Sequence, residues 1–266
     1  QARIMLIRRY GRRETSPRRA WCVVDDPRTA VGKLLTWGTW HVAEDLEEPA
    51  ALLTSQASSA RERAQSGGSA SAEKHDTSAI HQPCPPLVST GSEPELLLVC
   101  THGKHDVCCA SRGRPVAAAL TQRWPEATWE CSHTGGDRFA ANVIALPDGA
   151  CYGGLDPDVA VNVLEQHFSG GPDPVYLRGW TGHTPAEQAA VIAAHRALPA
   201  QRWGSIIATG VSMQAGERRV RLQTQFGSMV VPVTEEIREP HHLTCAALAP
   251  NRATVPVAGQ VQPLRV

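Results

Sequence analysis

Eight cysteines lie in this chain of 266 residues, and four of them, Cys100, Cys108, Cys109 and Cys131, fall within about thirty positions of one another. The others are Cys22, Cys84, Cys151 and Cys245. That bunching constrains the fold more than any other feature. A disulfide scaffold uses cysteines to staple a core too small to stand alone, and a chain of this length builds a core without staples. Cysteines gathered with histidines are what a metal or cluster site needs. The pattern predicts reduced thiols and a cytoplasmic setting.

Composition removes several other classes. Lys plus Arg is 26 and Asp plus Glu is 26, so the formal net charge is zero. Bulk electrostatic capture of nucleic acid or of an anionic membrane is not expected. No apolar run reaches the ~18 residues of a membrane helix. The arginines Arg8, Arg9, Arg12, Arg13, Arg18 and Arg19 read as a solvated loop between strands, because only Tyr10 is interleaved for stacking on bases. The chain begins with Gln1 and has no apolar signal core, which reads as a start that is truncated or processed.

Four segments follow from the patterning. Residues 1–53 read as a partial, β-rich N-terminal segment, with strands at 4–7, 21–24 and 34–42. Residues 54–92 are rich in Ser, Gly, Ala and Pro and read as a flexible linker. Residues 93–183 alternate as β-α-β-β-β-α. A continuous apolar strand at 96–99 opens them, a helix follows from Pro115 to about 124, and strands come at 128–133, 142–146 and 150–153. A second helix starts at Pro157, capped by Asp156. That order predicts an α/β domain with a mixed sheet flanked by helices. Residues 184–266 read as a helix with the capping-box pair Thr184 and Glu187, then a β-hairpin in which Val220, Leu222, Thr224 and Phe226 alternate with polar residues.

The chemistry concentrates at two places. Cys100 ends the apolar strand, and Cys109 follows nine positions later, just before the expected helix, whose N-terminus favours a thiolate. Cys131 and His133 stand two apart at the end of another strand, so that they face one side. Gly135 and Gly136 behind them allow close backbone approach. Cys100, Cys109, Cys131 and His133 thus form a candidate four-ligand set, and thiolate with imidazole suits zinc or an iron–sulfur cluster. Cys22, Cys151 and Cys245 read as small buried hydrophobes, Cys84 as an exposed spectator, and Cys108 as a packing neighbour of Cys109. His102 and His105 read as solvated loop residues.

The run Cys100-Thr-His-Gly-Lys-His-Asp-Val-Cys-Cys109, followed by Ser132-His-Thr-Gly-Gly-Asp-Arg-Phe-Ala-Ala-Asn-Val143, resembles the sucrase/ferredoxin-like family, a branch of the thioredoxin-like ferredoxins. The resemblance runs from about 96 to 166 and continues more weakly through 185–190 and 243–245. It implies a thioredoxin-like fold carrying a 2Fe–2S cluster, with electron transfer to or from a redox partner protein. Fungal members bind the cluster through two cysteines and a His-x-x-x-His pair. Those cysteines carry over onto Cys100 and Cys109 and the first histidine onto His133, but the second falls on Asp137. A carboxylate is a hard ligand, so chemistry favours Cys131 for the fourth bond while the family pattern favours Asp137. Cys108 is a further alternative.

Two other functions fit the same residues. A structural zinc module needs the same four ligands. A thiol oxidoreductase would use Cys108 and Cys109, although no Cys-x-x-Cys is present.

Overall fold

The computed structural model describes residues 4–11, 19–25, 35–55, 96–104, 106–169, 171–199, 204–245 and 247–264. Residues 56–92 of the expected linker, Cys84 and His105 lie outside the described residues, as does the side chain of Asp137. The chain divides into two compact units, one made of Gln1–Ile4 and Glu14–Val88, the other of Met5–Arg13 and Ser89–Val266.

In the smaller unit, β2 (Arg19–Val24) and β3 (Leu35–Trp40) pair antiparallel from Arg19↔Trp40 to Val24↔Leu35. Trp21 lies across Gly38, where a Cβ would come within 2.2 Å of the indole. A 3-10 turn at Ala43–Leu46 leads into a helix, α1, over 47–55.

The larger unit contains β1 (Ile7–Arg9), β4 (Leu96–Cys100), α2 (Val107–Arg123), β5 (Thr128–Cys131), β6 (Asn142–Leu146), β7 (Ala150–Gly153), α3 (Pro157–Ser169), β8 (Leu177–Trp180) and α4 (Pro185–Ala197). It continues with β9 (Ile207–Gln214), β10 (Glu217–Thr224), β11 (Gly227–Ile237), β12 (Thr254–Ala258) and β13 (Gln262–Pro263). Six strands form one mixed sheet in the order β1-β5-β4-β6-β7-β8. Only the β4–β5 pair is parallel, and α2 supplies the crossover that a parallel pair requires. The α/β class expected from the sequence is the one found. β4 is buried along its whole length because it lies between β5 and β6 inside the sheet. Strands β9 to β13 form a second, antiparallel sheet. One continuous core joins Leu97 and Val99 of β4 through Val116 and Leu120 of α2 and Val163 and Leu164 of α3. It extends to Val191 of α4 and to Val220, Leu222 and Val231 of the second sheet.

Two expectations need correction. The strand placed at 4–7 begins only at Ile7, and Ile4 and Leu6 are 87% and 78% exposed. Pairing with β5 selects Ile7–Arg9, and that hydrogen-bonded edge outweighs the apolar run before it. The helix placed from Pro115 begins at Val107. Asp106 is its N-cap, extended in φ and ψ, with its side chain accepting from the Cys108 N–H. Pro115 lies inside the helix and forgoes only the bond to the Ser111 carbonyl. The strands β8 and β9 carry Gly179 and Gly210 and little apolar run, and their sequences gave no strand signal.

The capping box at α4 forms as expected: the Glu187 N–H donates to Thr184 Oγ1, and the Thr184 N–H donates to the Glu187 carboxylate. Further along α4, His195 is buried and stacks on Trp180, with ring centroids 5.5 Å apart and planes 27° from parallel. Burial, followed by the neighbouring His167, lowers its pKa to about 4. A histidine kept neutral in the fold takes up its proton first in the unfolded chain. Its contribution to stability is therefore complete above pH ~6.5 and is lost as the pH falls toward 4, by about 3 kcal/mol in all. Guanidinium unfolding between pH 7 and pH 4 should show this slope, and His195→Phe should flatten it.

Candidate metal centre

Three elements bring three donors together at one end of the mixed sheet. Cys100 is the last residue of β4 and is 1% exposed. Cys109 lies in the first turn of α2 and is fully buried. His133 follows two residues after the end of β5. The two sulfurs and an imidazole nitrogen of His133 lie within 4.8 Å of one another.

The close approach of α2 to β4 depends on Gly113. A Cβ there would stand 2.1 Å from the carbonyl oxygen of Cys100. Cys109 lies four residues earlier, on the same face of the helix, and so is carried over the end of the strand. The connecting loop is tied by backbone bonds from Gly103 N–H to Thr101 O at 2.9 Å and from Asp106 N–H to His102 O at 3.3 Å.

The His133 loop is held from the other side. Asn142 at the head of β6 donates through Nδ2 to Gly136 O at 3.0 Å and to Gly135 O at 3.3 Å. Gly135 and Gly136 have φ of +91° and +73°, which a side chain would strain. Gly153, opposite Asn142 in the β6–β7 pair, leaves room for that amide, because a Cβ would come within 2.7 Å of Asn142 Oδ1. Next along the loop, two guanidinium groups approach the Phe139 ring, Arg138 at 4.7 Å and Arg178 at 5.1 Å from its centroid.

Cys131 stands beside this group. It is the last residue of β5, the register partner of Cys100, and 4% exposed, but it does not belong to the group of donors within 4.8 Å. β5 ends at Cys131, and Ser132, although it forms a bend, is still tied to the β1 side: its N–H donates to Leu6 O at 2.8 Å, and its Oγ accepts from the Leu6 N–H at 3.0 Å. His133 therefore leaves the strand, and a face shared with Cys131 is not guaranteed by spacing two.

A second group was not foreseen. Asp106, Cys108 and Cys245 place a carboxylate and two sulfurs within 4.8 Å of one another. Cys245 is exposed, not a buried hydrophobe. Its run Leu243-Thr-Cys245 reads like a strand but follows a bend and pairs with none of the described strands. Cys22 and Cys151, read as buried, are part-buried in β2 and β7. Burial pushes the Cys108 thiol up to about 12, helped by hydrogen bonding with Cys245 and Asp106. Burial alone would raise the Asp106 carboxyl, but hydrogen bonds from Cys245 and Cys108 outweigh it and hold the pKa at about 2.

Asp106 thus caps α2 and fastens Cys245 at once. Asp106→Ala should destabilise the fold by about 1–2 kcal/mol at pH 7. The folded pKa lies below the unfolded one, so this contribution is complete above pH ~4 and is lost as the pH falls through 2. Unfolding curves for parent and variant should therefore differ at pH 7 and converge at pH 2.

A profile of the sucrase/ferredoxin-like family matches residues 28–179, more than half of the chain. The chain belongs to the sucrase/ferredoxin-like family. The family match starts well before the motifs at 100–143 that carry the resemblance, and it ends in β8, so α4 and the second sheet lie beyond it. No curated protein and no solved structure matches the chain. Among the described residues, no helix is long and apolar enough to cross a membrane.

Proposed function

We propose that this sucrase/ferredoxin-like protein is an iron–sulfur electron carrier, holding a 2Fe–2S cluster with mixed cysteine and histidine ligands. The convergence of Cys100, Cys109 and His133 within 4.8 Å carries the reading, in a chain whose family is named for ferredoxin. The donor set fits: two thiolates and one imidazole are soft to borderline ligands of the kind iron–sulfur centres use. The fourth ligand is Cys131 or Asp137. The parallel β4–β5 pair, its α2 crossover and the antiparallel β6–β7 hairpin are the frame that a thioredoxin-like ferredoxin would need. When bound, such a cluster accepts and releases one electron, and imidazole in place of thiolate raises its potential. The chain's part is to bury the two cysteines, fix the His133 loop and present the centre to a redox partner protein. Cysteines gathered with histidine for metal binding suit the reducing cytoplasm.

A second reading has its own support. Donors on one tetrahedral zinc lie about 3–4 Å apart, as follows from metal–ligand bonds of about 2.0–2.3 Å. The compact spacing of Cys100, Cys109 and His133 fits a single ion too.

Absorption, metal analysis and electron paramagnetic resonance of anaerobically purified protein separate the two. The cluster reading expects a coloured protein with a resonance on reduction, bleached by Cys100→Ser or Cys109→Ser. Comparing Cys131→Ser with Asp137→Asn then identifies the fourth ligand by which one bleaches. A colourless protein holding one zinc would replace the cluster reading with the zinc one.

A further inference from the structure

The second group of donors is built by one carboxylate. The Cys108 N–H donates to Asp106 Oδ1 at 3.3 Å, and the Cys245 N–H, from a residue 139 positions away, donates to Oδ2 at 2.8 Å. Asp106 is 1% exposed, so this is an internal fixture and not a surface contact. It holds the backbones of both cysteines and sets their sulfurs within 4.8 Å. Cys108 is fixed in the first turn of α2, while Cys245 lies in a bend outside any helix or strand, so a small movement there closes the sulfur–sulfur distance to the ~2.05 Å of a disulfide. Cys245 is exposed and Cys108 part-buried, which gives one accessible sulfur and one resolving sulfur. Both oxygens of Asp106 already accept backbone N–H groups, which favours a bond between the sulfurs over a cation held at the carboxylate.

We propose that Cys108 and Cys245 form a reversible disulfide by exchange with a low-molecular-weight disulfide, fastening the C-terminal segment to the first turn of α2. The Cys245 sulfur attacks one sulfur of the external disulfide. The external sulfur–sulfur bond breaks, one small thiol leaves, and a mixed disulfide remains on Cys245. The Cys108 thiol then gives up its proton and attacks the Cys245 sulfur, a slow step because burial holds that thiol protonated, and the second small thiol leaves. Two protein thiols are oxidised by two electrons, and the external disulfide is reduced to two thiols, which carry away both protons. Cys108 is joined directly to Cys109, so the new bond fixes the turn that presents a metal ligand. That consequence rests on the proposed metal centre, whereas the disulfide itself does not.

The intact, anaerobically purified protein is equilibrated with mixtures of reduced and oxidised glutathione, quenched in acid, alkylated, digested and mapped by mass spectrometry. The expected product is a peptide pair joining Cys245 to the segment that begins α2, lighter by two hydrogens. It should grow with the proportion of oxidised glutathione, disappear with dithiothreitol, and be absent from both Cys245→Ser and Cys108→Ser. The exposed Cys245→Ser variant should keep the metal content and absorption of the parent. No cross-link at any ratio would overturn the proposal. So would a cross-link that survives Cys108→Ser, which would run through Cys109, or glutathione that stays on Cys245 without transfer. Zinc bound by the parent and lost from Cys245→Ser would show a cation site in its place. A colourless protein that still forms the cross-link refutes only the cluster, and a coloured one that never forms it refutes only the disulfide.

Discussion

Gly113→Ala should pull Cys100, Cys109 and His133 apart, and with them the proposed metal centre, while leaving all three residues in the sequence. In an unconstrained helix this change stabilises by about 1 kcal/mol. Here the added methyl would meet the Cys100 carbonyl at 2.1 Å, and neither backbone can yield without moving α2 off the end of β4. The net cost should be about 2–3 kcal/mol, as for overpacking in a filled core. Metal content per chain is the decisive readout, because Cys109 rides on the same face of the helix and moves with it. Retention of full metal content, together with unchanged unfolding by guanidinium, would show that the approach of α2 to β4 is not what assembles the site.

His167→Ala should cost still more stability, about 3–5 kcal/mol. Its ring is buried between two polar groups: Nδ1 pairs with the Tyr152 hydroxyl at 2.7 Å, and Nε2 stands 2.7 Å from Asp148 Oδ2. The second contact is close but does not meet the geometry of a hydrogen bond. Asp148 lies in the β6–β7 turn and His167 near the end of α3, so the trio ties the hairpin to the helix. Removing the imidazole leaves a buried carboxylate and a buried hydroxyl without it. His167→Phe fills the volume without restoring the bonds and should lose nearly as much. If the phenylalanine variant matched the parent in urea or guanidinium, packing alone would explain the histidine.

Local signals were the legible ones. Continuous apolar content marked β4, Asp156 marked the start of α3, and the Thr184–Glu187 pair marked α4, because each depends on neighbours within a few residues. The motifs at 100–109 and 132–143 marked the family and three residues that converge. What escaped depends on distant partners. β1 exists because β5 offers an edge, and β8 because β7 does. The start of α2 was hidden by Pro115, which drew the boundary away from Asp106, although an aspartate three residues before Cys109 is an N-cap signal that was available. Cys245 could not be placed beside Cys108 by any local rule, since a hydrogen bond across 139 positions brings them together. Nothing local marked Gly113, because its role lies in the 2.1 Å from an added Cβ to the Cys100 carbonyl, a contact only the fold creates.

β1 also sets a timetable. Arg8 pairs with Glu130 across 122 positions of chain, and at a synthesis rate of about 5–20 residues per second that partner emerges from the ribosome roughly 6–25 s later. In that interval the whole of Glu14–Val88 is made. The smaller unit therefore has time to fold within a loop whose two ends are not yet joined. The segment at 7–9 waits as an unpaired strand until β5 arrives, so a pause in translation before residue 128 would prolong its exposure to other nascent chains.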